Sequence, residues 1–342
     1  MKKIFGIVAA FAFAYLVGIS CKGKADTDEQ ASKYEVLTYV WSGGKIMPDL
    51  DLITSINYAF GRVSDDRKSV RIENEDRLRE VVALKKQKPE LKVLLSLGGG
   101  CSEGFSELAA SDSLRKAFAA DCRRVIDEFG LDGIDYDWEA PGFDDGTPED
   151  VDNFELLLAE TRKAIGDDKL LTVASMAGAL GMKLPEILAY VDYFNVMCYD
   201  MTWTDLGSHT SMRESPVAGD YTVERAMKTY EEKGVPKDKI MLGLAFYGRG
   251  DDKNFKGWTD YRDIDVKPSM EVRWDSIGCV PYVVDSLGSF ILGYENPRSL
   301  EIKCDYIKDL GLRGAMCWRT ELDNDSLELA HTVARSLLGV ER

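Results

Sequence analysis

Histidine is nearly missing from this 342-residue chain, which has only His209 and His331. That excludes a histidine-rich metal site. Ser-His-Asp hydrolysis would need one of the two beside a nucleophile, and neither has such a setting. His331 falls in a C-terminal helical stretch and reads as a surface or packing residue. His209 falls in a polar loop and reads as a plain loop residue, with a place in a cleft as the alternative. Positive charge is also short: 43 Lys and Arg face 59 Asp and Glu, a net charge of −16, with no basic tract. Nucleic acid and other polyanions are excluded as partners on that ground. The seven cysteines include no CxxC pair and no zinc-ligand spacing. Beyond Cys21 they are Cys101, Cys122, Cys198, Cys279, Cys304 and Cys317, and most read as small buried apolar residues. The run Gly98-Gly99-Gly100 lacks both the GK[ST] ending and the dinucleotide fingerprint, so it reads as a tight turn.

Long apolar runs are absent except near the start. Lys2 and Lys3 precede Ile4–Val17, which is too short and wrongly flanked to span a bilayer. Residues 1–21 look like a lipoprotein-type signal peptide ending in GISC, with Cys21 as the acylated residue. Residues 22–33 are polar and read as a disordered tether. The expectation is an exported protein held at a bacterial envelope membrane by lipid, or secreted if Cys21 is not used.

From residue 34 to 342, short apolar runs alternate with amphipathic stretches. Strands are expected at Glu35–Trp41, Leu52–Phe60, Lys92–Leu97, the segment Leu131–Pro141, Leu170–Met176, Tyr193–Tyr199, Lys239–Tyr247 and Gly314–Trp318. Helices are expected at Glu75–Lys88, Ser111–Phe129, Pro148–Ile165 with Thr147 as its cap, Leu184–Tyr190, Val223–Lys233, Pro297–Leu310 and Leu327–Leu338. Near-continuous apolar strands imply a parallel sheet covered on both faces. Repeated βα units make the fold class α/β, a single-domain (β/α)8 TIM barrel. The long connection Phe246–Pro297 is a small excursion between strands seven and eight. Short strands are expected within it at Val280–Val284 and Phe290–Tyr294.

One stretch departs from this apolar pattern. In LDGIDYDWEAP, alternation puts Asp135, Asp137 and Glu139 on one face and Ile134, Tyr136 and Trp138 on the other. Clustered carboxylates repel and resist desolvation, so stability alone does not account for them. A solvated acidic edge strand would be the bland account, but the apolar outer face argues against it. Active sites of such barrels lie at the C-terminal strand ends. There Glu139 meets Tyr39, Trp41, Phe60, Ser96, Gly98, Gly99, Tyr199, Asp200, Tyr247, Arg249 and Trp318, with Met197 nearby. Singly, Met197 and Tyr199 could be barrel packing, Trp318 core, and Arg249 a structural ion-pair partner. Together, aromatic faces over a few acids suit a sugar ring.

These residues carry a resemblance. DGIDYDWE fits the DxxDxDxE signature of glycoside hydrolase family 18, the chitinase-like barrels. SLGG at Ser96–Gly99, MCYD at Met197–Asp200, FYGR at Phe246–Arg249 and the GAMCW ending at Trp318 follow in the same order. The chain departs from many relatives at Ala140, where they carry an aromatic residue. Its connection from Gly250 to Arg313 is also shorter than their α+β insertion.

The resemblance implies retaining, substrate-assisted hydrolysis, one of the exceptions to the two-carboxylate scheme. Glu139 is then the general acid, Asp137 orients the substrate's 2-acetamido group, and Asp135 shares a proton with Asp137. Tyr199 holds the acetamido oxygen and Asp200 binds the sugar. Trp318 floors the pocket, and Tyr39 and Ser96 support Asp135. Phe60, Gly98, Gly99, Met197, Tyr247 and Arg249 complete the substrate-binding set. The expected partner is an oligo- or polysaccharide of N-acetylglucosamine, acted on by a monomer without cofactor or metal. The leading reading is an endo-acting chitinase. An endo-β-N-acetylglucosaminidase cutting the chitobiose core of N-glycans is the first alternative. A sugar-binding lectin on the same barrel is the second, although such relatives lose the final glutamate and Glu139 is present.

Overall fold

The computed structural model describes residues 33–340, except 101, 144, 145 and 205. The leader, the tether up to residue 32, Cys21 and Cys101 lie outside the described residues. Among the described residues no helix is long and apolar enough to cross a membrane.

Eight parallel strands close into a barrel. They are β1 (Glu35–Trp41), β2 (Ser55–Val63), β4 (Lys92–Gly98), β5 (Gly133–Asp137), β6 (Leu170–Met176), β7 (Tyr193–Met197), β8 (Ile240–Ala245) and β14 (Gly314–Trp318). Closure is made by β14 pairing with β1 and β1 with β2. A short antiparallel strand, β3 (Val70–Ile72), extends β2. Helices α1 (Glu75–Ala83), α2 (Phe105–Ala110), α3 (Asp112–Phe129), α4 (Asp150–Ile165), α5 (Leu184–Ile187), α6 (Val223–Glu232), α7 (Pro297–Leu310) and α8 (Glu328–Leu338) complete the fold. The (β/α)8 architecture agrees with the sequence reading.

Several boundaries differ from it for local reasons. The second strand starts at Ser55 rather than Leu52, because Leu50–Leu52 is a 3-10 turn capped by Asp49. Thr54 then hydrogen-bonds both the N–H and the C=O of Val36, setting the register of β2 against β1. Phe60 therefore lies inside β2, not at its end. Thr147 does not cap α4. Instead the buried Asp150 carboxylate accepts from the Thr147 N–H at 2.8 Å and from the Ser106 hydroxyl. The helix α2 was not expected; it begins after Gly104, whose φ is +88°. The acidic strand ends at Asp137, which leaves Glu139 in the following loop.

The outward face of β5 explains how an acidic inner face is held. Tyr136 donates or accepts at 2.8 Å with Thr161 of α4. Trp138 stacks on Phe105 at 5.3 Å and meets Phe154 edge-on at 5.5 Å. Burial of these aromatic faces outweighs the repulsion within the strand's inner row.

The excursion is more ordered than the two short strands expected. Five strands form an antiparallel sheet: β9 (Tyr247–Gly250), β10 (Trp258–Asp260), β11 (Glu271–Asp275), β12 (Val280–Val284) and β13 (Phe290–Gly293), in the order β10-β9-β13-β12-β11. It carries its own apolar cluster of Phe255, Val283, Ile291, Leu292 and Tyr294. The expected seventh strand is therefore split at Phe246. Its first part closes the barrel, and its second part, with Tyr247 and Arg249, belongs to this sheet.

Candidate active site

The barrel places one polar layer at its centre. Register puts Ser96 of β4 and Thr172 of β6 on either side of Asp135. Asp135 is wholly buried and accepts four hydrogen bonds. Tyr39 and Ser96 donate to Oδ2, both at 2.8 Å, and Thr172 and Asn195 donate to Oδ1 at 2.6 and 3.0 Å. Burial raises its pKa, while these four donors each favour the ionised form, and the net shift is upward.

Asp137, one pleat closer to the mouth, is 4% exposed, and its Oδ1 has no partner. Desolvation, then the charges of Glu139 and Asp135, push its pKa well above the carboxylate range, against a smaller pull from Arg62. Arg62 is itself tied to Glu73 at 3.0 Å and donates to the Gly98 carbonyl at 2.5 Å. Four donors make Asp135 the better anion of the two, and Asp137, with an unpartnered oxygen, is the harder one to ionise.

Glu139 reaches into the open cleft and is solvent-exposed, with protein enclosing its other sides. That partial desolvation, followed by the charge of Asp200, raises its pKa to about 7. A carboxyl with that pKa can donate a proton near neutrality.

The cleft has a volume of about 340 Å³ and is lined in part by Asp137, Glu139, Tyr199, Asp200, Met197 and Trp318. Its floor is aromatic. Trp318 stacks on Phe60 at 5.9 Å and tilts against Tyr39 at 5.2 Å. Tyr199, mostly buried, directs its hydroxyl at Met316 Sδ, 3.6 Å away, a weak acceptor that a polar ligand group would displace. Gly98 and Gly99 have φ of +121° and +89°. A Cβ at Gly99 would sit 2.6 Å from the Phe60 ring, and one at Gly98 would strike the Asp137 carbonyl. Positive φ and close neighbours thus account for Gly98 and Gly99.

Asp200 sits beside the cleft in a left-handed conformation, φ +53°. Burial pushes its carboxyl up, but His209, Arg249 and Tyr247 together outweigh this and hold it below the ordinary range. Arg249 Nε is 3.5 Å from Asp200 Oδ1. His209 is wholly buried against Asp200, which corrects its reading as a plain loop residue; only packing around the folded loop reveals this.

Sequence reasoning missed two tryptophans on the cleft wall, Trp203 and Trp258. Trp258 pairs across β10 and β9 with Arg249 and stacks face to face on Tyr247 at 3.6 Å. Its Nε1–H donates to Asp260 at 3.1 Å, so the ring is fixed on both edge and face. Trp203 follows the MCYD segment by three residues and is 55% exposed, a cue that chain proximity could have supplied. The cysteines Cys122, Cys198, Cys304 and Cys317 are buried free thiols, and Cys279 is half-buried.

Comparison with known proteins matches residues 25–323 to a family model described as glycosyl hydrolases family 18. Chitinase A1 of Niallia circulans is 31% identical over 293 residues, which is 71% of this chain and 42% of that protein. An endochitinase of Manduca sexta is 28% identical over 326 residues, 79% of this chain and 58% of that protein. The chain thus spans about half the length of these curated relatives. Among solved structures, a family 18 N-acetylglucosaminidase from Paenibacillus barengoltzii superposes with a TM-score of 0.80 at 30% identity. That alignment covers 89% of this chain and 100% of the other.

Proposed function

This chain belongs to glycosyl hydrolases family 18, and from that premise we propose that it is an endo-acting, retaining chitinase. It hydrolyses β-1,4 bonds between N-acetylglucosamine units with the substrate's own acetamido oxygen as nucleophile. The observation that carries this is the graded carboxylate row: Asp135 fixed by four donors, Asp137 buried with its pKa pushed well above the carboxylate range, Glu139 open to the cleft with a pKa of about 7.

The chemistry follows from those states. A sugar ring lies on Trp318, and Glu139 gives its proton to the glycosidic oxygen as the bond to the anomeric carbon breaks. The acetamido oxygen bonds to that carbon, giving an oxazolinium ion. Asp137 holds the acetamido N–H and, passing its proton toward Asp135, meets the developing positive charge with its own negative one. Tyr199 turns from Met316 to the acetamido oxygen. Water then attacks the anomeric carbon, breaking its bond to the acetamido oxygen and giving a proton to Glu139, while the proton shared with Asp135 returns to Asp137. Two inversions give net retention.

A panel of defined chito-oligosaccharides and an N-glycosylated protein, with products read by mass, tests this. Internal cleavage of the oligosaccharides supports it. Release of single sugars from chain ends would indicate an N-acetylglucosaminidase. Cleavage confined to the glycoprotein would indicate the chitobiose-core activity, and binding without turnover a lectin. A chain whose reacting unit carries a free amine should be inert, because the internal nucleophile is gone. Turnover of that chain at the acetylated rate would refute substrate assistance.

The pH profile has a defined sign. Glu139 must be protonated, so kcat/KM should fall as pH rises through about 7. Asp200→Asn removes a charge that holds this pKa up, so the alkaline limb should move to lower pH. An unmoved limb in Asp200→Asn would contradict the electrostatic assignment.

From the N-terminal segment we further propose export with lipidation at Cys21. Mass analysis of the mature N-terminus reads this directly, and a free, unacylated end there would reject it.

A further inference from the structure

Residues Gly207 to Met212 run fully buried beside the insert sheet, although Ser208, His209, Thr210 and Ser211 are polar. Ser208 Oγ, His209 Nε2, Thr210 Oγ1 and Ser211 Oγ lack hydrogen-bond partners. Burying polar groups in this state is costly, so the segment is retained for something other than its own stability. It is pinned at several points. Ser208 N–H donates to the Val217 carbonyl at 2.7 Å, and Met212 N–H to that of Gly278 at 2.8 Å. Lys303, 1% exposed, donates to the Thr210 carbonyl at 2.6 Å and pairs with the equally inaccessible Glu295. Ser299 completes the carboxylate's bonding. A buried ion pair of this kind contributes little net stability but fixes position.

What it fixes is next to the chemistry. His209 Nδ1 accepts from the Asp200 N–H at 3.2 Å and lies 3.5 Å from Asp200 Oδ1. The Met201 N–H donates to the His209 carbonyl at 3.2 Å. The imidazole is backed by the Tyr247 ring at 5.1 Å. Asp200, a non-glycine residue with positive φ, needs such over-determined surroundings to persist. We propose that His209, anchored through Thr210 by the Lys303–Glu295 pair, is a positioning residue that holds Asp200 toward the cleft. This deepens the proposed function and rests on Asp200 and Glu139 having the roles given above.

Asp200 is where the effect is read, because its charge helps to keep Glu139 protonated. The other ionisable groups around the two are Asp137 from β5, Tyr199 after β7, and Tyr247 and Arg249 from β9. In His209→Leu, Asp200 loses its N–H acceptor and turns from the cleft. KM should rise about tenfold, the scale of one hydrogen bond involving a charged group, with kcat changed less. The alkaline limb should shift to that of Asp200→Asn. In an Asp200→Asn background, His209→Leu should move the limb no further. His209→Asn, which can offer an acceptor oxygen, should restore part of the limb. Lys303→Met should shift the limb in the same direction through the Thr210 carbonyl.

A measurement on the intact fold stands beside these variants. With only two histidines in the chain, a His331→Gln protein has a single imidazole, and its Nδ1 resonance in a nitrogen-15 spectrum is the signal to follow. That signal should move when Asp200→Asn is added. A His209→Leu enzyme with wild-type limb and KM, or an imidazole signal blind to Asp200→Asn, overturns the inference. Native turnover in Glu139→Gln would instead overturn the proposed function, and the imidazole signal would still report whether His209 is seated on Asp200.

Discussion

Glu139→Gln should lower kcat by about 10²–10⁴-fold, the range for removing a general acid, while affinity for a chito-oligosaccharide is retained. The two side chains are nearly the same size, and Glu139 lies in the open cleft rather than in the barrel's packing. The aromatic floor of Trp318, Phe60 and Tyr39 is untouched by the change. A glutamine amide can donate a hydrogen bond, but it cannot release a proton to a departing alkoxide. The loss should therefore depend on the leaving group. A sugar alcohol needs protonation and suffers the full loss; a nitrophenolate needs little and suffers far less. Steady-state kinetics on both substrates, with calorimetric binding to the inactive variant, separate the two effects. An equal loss on both substrates, or no loss at all, would remove Glu139 from the role of acid.

That the row of acids could be read from the sequence has a simple cause. Strand alternation is strictly periodic, so Asp135, Asp137 and the apolar Ile134, Tyr136 and Trp138 sort onto faces without tertiary information. The parallel barrel was legible for a related reason, since strands covered on both faces read as continuous apolar runs. Other features depend on distant chain meeting in space. The insert sheet hid behind strands as short as Trp258–Asp260, and no periodicity can be detected over three residues. Trp258 reaches the cleft only because Arg249 is its cross-strand partner. His209 carried a polar loop's signature, and the loop is held at Thr210 by the Lys303–Glu295 pair, roughly ninety positions away. Thr147 showed a cap-like residue type, but the Asp150 carboxylate took over the bonding. Local residue type proposes such contacts, and the fold selects among them.

Asp137→Asn should move activity and stability in opposite directions. For activity, the neutral amide can still accept or donate at the acetamido group but cannot develop negative charge, so oxazolinium formation loses its counter-charge. A fall in kcat of about 10²-fold or more is expected from such a loss. For stability, the sign follows from the raised pKa. Below the carboxylate pKa of the unfolded chain, about 3.9, both states hold the proton and the variant gains nothing. As pH rises, the unfolded chain ionises freely while the folded one cannot, because Asp137 is buried beside Asp135 and Glu139. The wild type therefore loses stability as pH climbs through the interval up to the folded pKa. Asparagine does not titrate, so the variant escapes that loss. The gap in Tm, variant minus wild type, should be near zero at pH 3 and widen steadily above pH 4. Calorimetric scans across that range decide the matter. A gap that is flat or closes with pH would mean that Asp137 ionises as easily in the fold as out of it. An acid that ionised so readily could not hold a proton to share with Asp135, and the graded row on which the mechanism depends would lose its middle member.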